Sequence, residues 1–270
     1  MEISSIQFTS YAKSKRELGI SYLGDTACSV KLLHSLENLN ISTYGIYLAP
    51  ADLSGYNVCP NSESCKDLCL FGSGHNKLSI LAGNNKLVNT RIKKTKLFFE
   101  NRELFMQILI HEITAAKNKA EKKGHKFAVR INCTSDLNIS LLNYEGKNIC
   151  NIFPDVQFYD YTKVFKHLDN LEKFPNYDLT YSYNGYNWAL CEKALERNVR
   201  VAVVFEKELP KTYHGYTVIN GDKYDARYFD KKNVIVGLKY KTVANNYKNH
   251  KFVAPKTPFV VPIDSEFCER

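Results

Sequence analysis

No run of apolar residues in this chain is long enough to span a bilayer, so a membrane-spanning helix is not expected. The opening Met1-Glu-Ile-Ser-Ser lacks the basic start and apolar stretch of a secretory leader, and a cytoplasmic protein without a membrane partner is expected. In a reducing cytoplasm the eight cysteines are expected to stay reduced or to bind metal, not to form a disulfide framework. Pro/Ser-rich linkers and low-complexity segments are absent too, which suggests one domain with ample length to bury a core. What the chain does have is tyrosine (18), phenylalanine (15), and a formal charge of +9. That charge favours an acidic partner such as a nucleotide or nucleic acid, although a lysine-rich solvated surface gives the same number.

The most informative stretch is V-C-P-N-S-E-S-C-K-D-L-C-L-F-G-S-G-H, residues 58–75, with Cys59, Cys65 and Cys69 in a C-x5-C-x3-C spacing. Four residues apart, Cys65 and Cys69 share one face of a helical turn. Pro60 and a Ser/Asn-rich loop can fold Cys59 back toward them. Three converging thiolates suit an iron–sulfur cluster or a zinc ion. Buried thiols, or a disulfide plus a spare cysteine, are the plainer readings. Polar residues fill the spaces between the cysteines, which argues against an apolar core helix. Cys28, Cys150, Cys191 and Cys268 read as packing residues, and Cys133 stands apart because it closes a strand.

A short helix is expected near residues 30–36, capped by Asp25 or Thr26, followed by a strand at 43–48. The cysteine stretch leaves that strand. Helices follow at 78–100, with the basic cluster Arg91, Lys93, Lys94 and Lys96, and at 102–123, whose apolar face is broken only by Glu112. Strands are then expected at 126–132, 156–161, 179–183, 199–205, 216–219 and 234–238. Helices run to Leu141, to Leu171 and over 188–197. Alternating strands and helices imply right-handed crossovers and a mostly parallel sheet. The expected fold is a single-domain (β/α) barrel, complete or partial, with a doubly wound sheet as the alternative. Residues 1–42 form a lead-in, 43–241 the core and 242–270 a tail.

Sites on such folds lie where loops leave the C-terminal ends of strands. There the chain places Arg130, Asn132 and Asp136; Asp160 and Lys163; Ser182 and Asn184; Asp222, Asp225 and Arg227; and Lys239. Some neighbours, such as Ser135 and Thr162, serve equally well as helix caps. Arg130, on a strand otherwise of Phe, Val and Ile, is costly to bury without an anion, which a substrate, Asp136 or Asp160 would supply.

The ordered motifs L-A-P-A-D-L-S-G-Y-N-V-C-P, T-R-I-K-K-T, I-N-C-T-S-D-L, F-Y-D-Y-T-K and V-I-N-G-D-K-Y-D-A-R resemble a phage family of uncharacterised three-cysteine proteins, the gene 88 protein type. The resemblance runs from Ile46 to Lys241 and implies the cytoplasm of an infected or lysogenic bacterium. It supports Cys59, Cys65 and Cys69 as the cluster motif. Further signature positions are Ser135-Asp136, 161–163, and Gly221-Asp222 with Asp225 and Arg227. A cysteine loop after the first strand of a β/α fold is also distantly similar to radical S-adenosylmethionine enzymes, although their C-x3-C-x2-C spacing is absent.

These readings lead to two expectations. In the first, a 4Fe–4S cluster on the three cysteines has S-adenosylmethionine as candidate ligand and acts on a nucleotide or nucleic-acid substrate. Arg130, Asp136, Asp160, Lys163 and Asp222 would take catalytic roles. Asn132, Ser182, Asn184, Asp225, Arg227 and Lys239 would contact the cofactor. In the second, zinc held by the cysteines and His75 organises a nucleic-acid-binding protein, its phosphate contacts made by the basic helix.

Overall fold

The computed structural model describes residues 2–26, 29–66, 86–240 and 257–269. Cys28, Cys69, His75 and Lys241 therefore lie outside the described residues. The helices described are α1 (Tyr11–Leu18), α2 (Val30–Leu39), α3 (Lys86–Glu100), α4 (Arg102–Lys122), α5 (Ile149–Ile152), α6 (Asn170–Lys173) and α7 (Trp188–Glu196). Their strands are β1 (Gly24–Asp25), β2 (Ile41–Ile46), β3 (Lys126–Arg130), β4 (Asn143–Tyr144), β5 (Lys147–Asn148), β6 (Gln157–Thr162) and β7 (Tyr177–Ser182). The series ends with β8 (Arg200–Phe205), β9 (Thr212–Tyr213), β10 (Tyr216–Asn220), β11 (Ile235–Lys239), β12 (Val260–Val261) and β13 (Cys268–Glu269).

Eleven strands make one mostly parallel sheet in the order β1-β2-β3-β6-β7-β8-β11-β10-β9-β13, with β12 beside β8. Among the described residues no pairing joins β1 to β13, and a closed barrel is not seen. The mixed α/β class follows from the alternation of β-branched runs with amphipathic helices, whereas barrel closure depends on pairings that no local pattern encodes.

The chain divides into two compact units, each made of several stretches of the sequence. The first comprises Met1–Pro60, Asn85–Asp160 and Asp169–Asp178; the second, Asn61–Asn84, Tyr161–Leu168 and Leu179–Arg270.

In the first unit α1 starts at Ser10, whose hydroxyl accepts the Lys13 N–H, and stops at Gly19 in the left-handed conformation. Asn40, also left-handed at φ 55°, ends α2 and turns the chain directly into β2. β2 pairs in parallel with β3, from Ile41 opposite Lys126 to Gly45 opposite Arg130. Asn101 caps α4 by accepting the Leu104 N–H, and its own Nδ2 donates to the carbonyls of Ile3 and Ile6. The apolar face of α4 (Leu104, Phe105, Ile108, Leu109, Ile113) is fully buried.

In the second unit the Val-rich β8 lies between parallel partners, which explains its nearly unbroken apolar run. The expected tail contributes to the sheet: β12 pairs with β8 and β13 with β9. Gly221 passes over β11 so closely that a Cβ there would sit 2.5 Å from Val236 Cγ1. That spacing demands glycine.

Candidate functional site

The loop after β3 in the first unit holds a dense polar constellation. Asp160, 2 % exposed near the end of β6, is its anchor. Its Oδ1 accepts the Asn132 N–H at 2.7 Å, and its Oδ2 accepts Asn132 Nδ2 and the Tyr177 hydroxyl, each at 3.2 Å. Asn132 uses its remaining capacity on its own loop. Its Oδ1 accepts the Ser135 hydroxyl (2.7 Å) and the Leu137 N–H (2.9 Å), and Nδ2 also donates to the Leu137 carbonyl (3.0 Å). Every hydrogen-bonding position of that side chain is filled.

The same loop grips the segment that leaves β2. Cys133 N–H donates to the Ile46 carbonyl, the Thr134 hydroxyl to Leu48, and the Asp136 N–H to Val58. The half-buried Cys59 thiol lies 3.9 Å from the Thr134 carbonyl, a weak hydrogen bond. Cys133 packs against Gly45, where an added Cβ would come within 2.9 Å of its sulfur.

Burial pushes the Asp160 carboxyl up from 3.8 to about 7, against the opposing pull of the Asn132 N–H, the Arg130 charge and the Tyr177 hydroxyl. Arg130, half-buried at the end of β3, acts on Asp160 through its charge. Desolvation and the neighbouring charge of Asp160 in turn push Tyr177 well above its ordinary range. Because the folded state keeps the Asp160 proton until about pH 7 while the unfolded chain loses it near pH 4, this group's stabilisation is complete below pH 4. It is lost as pH rises through 7. We expect denaturant unfolding to show stability falling by a few kcal/mol over that window, and Asp160→Asn to flatten this component. An unchanged slope in the variant would assign the dependence elsewhere.

In the second unit the chain after Pro60 forms a turn in which the Cys65 N–H donates to the Ser62 carbonyl. Asn61 Nδ2 donates to the Lys163 carbonyl at 2.9 Å, and the Ser64 hydroxyl donates to the Asn184 carbonyl. Lys163 also stands over the Phe259 ring at 5.7 Å. The Ser182 carbonyl accepts Asn187 Nδ2. Asp222 Oδ2 accepts the Lys239 N–H at 2.9 Å, tying the Gly221-Asp222 turn to the end of β11, while the Lys239 side chain is exposed.

Asp225 and Arg227 are each 1 % exposed. Arg227 pairs with Asp230 at 3.1 Å, donates to the Tyr224 carbonyl and covers the Tyr224 ring. Arg200, fully buried, donates twice to the Asp230 carbonyl, and the Tyr224 hydroxyl donates to Asp230 Oδ1 at 2.6 Å. The signature arginine therefore holds its own loop together. Sequence reasoning did not find Arg200 or Tyr177, since an arginine or tyrosine at the start of a strand carries no motif.

Cys59, Cys65, Cys133, Cys150, Cys191 and Cys268 are thiols, not disulfides. Among the described residues no group of three or more His, Cys, Asp and Glu is arranged to hold a metal ion; Cys69 and His75 lie outside them. Of the basic cluster on α3, Arg91 is buried over the Tyr47 ring and Lys94 donates to the Leu23 carbonyl, so Lys93 is its exposed member.

Fold and loops together define a mixed α/β protein whose polar residues gather after the ends of parallel strands. The chain belongs to the Gene product 88 family, which it matches over residues 10–256, in agreement with the phage gene 88 resemblance of its motifs. Searches of curated proteins and of solved structures found no match.

Proposed function

We propose that this protein is an iron–sulfur enzyme of radical-S-adenosylmethionine-like type, acting on a nucleotide or nucleic-acid-related substrate in the cytoplasm of the phage's host. One observation carries the reading. The Cys59 thiol rests on the same loop that Asn132 fastens to Asp160, so a thiolate ligand and a carboxyl near neutrality share one support at the end of a parallel strand. The donor chemistry fits: Cys59 and Cys65 are half-buried thiols, open in part to a metal. Three cysteine ligands leave one iron of a 4Fe–4S cluster open to a small ligand, with S-adenosylmethionine the candidate.

To Arg130 and Asp136, both partly exposed, we assign contact with an anionic substrate and the handling of a proton. Asp160 lies behind them and positions the loop. In the second unit Lys163 and Asp222 take the corresponding roles, with Ser182, Asn184 and Lys239 as ligand contacts. Asn132, Asp225 and Arg227 shape loops instead of touching the ligand, because their side chains are buried.

Zinc with a nucleic-acid role is the second reading. Exposed Lys119, Lys122 and Lys123 at the end of α4 favour it as a phosphate-facing surface more than α3 does. Calorimetry on the anaerobically reconstituted full-length protein decides between them. One saturable S-adenosylmethionine site, absent from Cys65→Ala, is the expected result. No binding to protein with a full complement of iron would overturn the assignment.

A further inference from the structure

We infer that Asn132 is a positioning residue whose amide sets the place of the Cys59 thiol. The inference rests on the reading of Cys59 as a ligand for its consequence, but its geometry stands alone. Asn132 is 3 % exposed and makes five hydrogen bonds, three within residues 132–137 and two to Asp160. Those bonds fix a short loop that has no helix or strand of its own to define it. The loop then closes on the segment bearing Cys59 at both ends. Cys133 and Thr134 hold Ile46 and Leu48, Asp136 holds Val58, and the Thr134 carbonyl meets the thiol itself. Val58 is held a second time, by its own N–H to Ala51, and the Cys59 N–H is taken by Asn57 Oδ1. The backbone around Cys59 is thus held by hydrogen bonds on both sides, and its sulfur contacts a carbonyl of the loop that Asn132 fixes.

Asp160 supplies the fixed end of this arrangement. As a carboxylate it accepts both donors of Asn132 together with the Tyr177 hydroxyl. Arg130 on β3 and Tyr177 on β7 are ionisable groups acting on Asp160, Asp160 in turn acts on Cys150 of α5, and Asp136 acts on Tyr177.

The test is the alkylation rate of each cysteine by iodoacetamide, resolved by peptide mass spectrometry on the full-length chain purified with a chelator. In Asn132→Ala we expect Cys59 to react about tenfold faster, the scale of one lost hydrogen bond, with Cys65 and Cys268 within about twofold of the parent. Ser135→Ala removes a single bond to Asn132 and decides the matter if Asn132→Ala does not fold; there Cys59 should accelerate by about threefold. An unchanged Cys59 rate in a folded variant, or a parallel rise at Cys65 and Cys268, would overturn the inference. Because the assay uses metal-free protein, its outcome is separate from that of iron analysis. Iron can be lacking while Asn132 still governs Cys59, and the reverse.

Discussion

Glu112→Ala is expected to destabilise the protein by about 3–5 kcal/mol, the scale of a broken buried polar network. Glu112 breaks the apolar stripe of α4 and is 5 % exposed. Its carboxylate accepts the Tyr11 hydroxyl at 2.8 Å, the Leu23 N–H at 3.0 and 3.1 Å, the Gly24 N–H at 3.1 Å and the Tyr44 hydroxyl at 2.5 Å. Four donors from three segments thus converge on one side chain and fasten α1, β1 and β2 to α4. Alanine leaves all four without an acceptor, and burial makes each loss expensive. Urea unfolding measures the effect as a lower midpoint at constant slope. Glu112→Gln keeps one acceptor oxygen but aims an amide N–H2 at the remaining donors, so an intermediate loss is expected. A loss under about 1 kcal/mol for alanine would mean that water replaces the carboxylate and that the N-terminal segment is held by other contacts.

Cys65→Ala is expected to abolish bound iron and sulfide, whereas Asp160→Ala keeps the metal and loses S-adenosylmethionine-dependent turnover. The contrast follows from chemistry. A thiolate ligand cannot be replaced by a methyl group, while Asp160 acts on the loop beside Cys59 and provides no ligand atom. Metal analysis of both variants, prepared side by side without oxygen, makes the comparison. Equal metal loss would assign Asp160 a part in holding the cluster and remove the distinction between ligand and support.

The strongest local patterns were legible in the sequence. The run Val199–Phe205 becomes β8, because a strand between two parallel neighbours must be apolar on both faces. Lys126 onward becomes β3. Boundaries moved where turn chemistry decided them. β2 begins at Ile41, two residues earlier than its aromatic run suggests, because Asn40 turns the chain sharply. The expected helix to Leu141 is a single 3-10 turn, since Asn132 commits the preceding residues to a loop. The two-residue strands β12 and β13 have too few residues to show a period and exist through their partners, β8 and β9. α1 was missed because its sequence, Y-A-K-S-K-R-E-L, is largely polar; Ser10 and Gly19 mark its ends.

The site was partly legible for a similar reason. The strand-end rule gathers Asn132, Asp136 and Asp160, which the fold unites through one loop. It also gathers Asp225 and Arg227, whose side chains turn inward and lock the 220–230 segment. A rule about where strands end names positions but not the direction of side chains. Glu112 stood out as the lone acid on an apolar face, yet its partners Tyr11 and Tyr44 come from segments about 100 and 68 residues away.

The most direct test of the central claim is iron and sulfide content, with a visible spectrum, of the full-length protein purified without oxygen. About four iron and four sulfide per chain, with a broad band near ~400 nm that bleaches on reduction, is the result expected of a 4Fe–4S cluster on Cys59, Cys65 and Cys69. One zinc per chain and no colour would contradict it and favour the Cys3His reading. Neither metal, with all three thiols titratable, would contradict both.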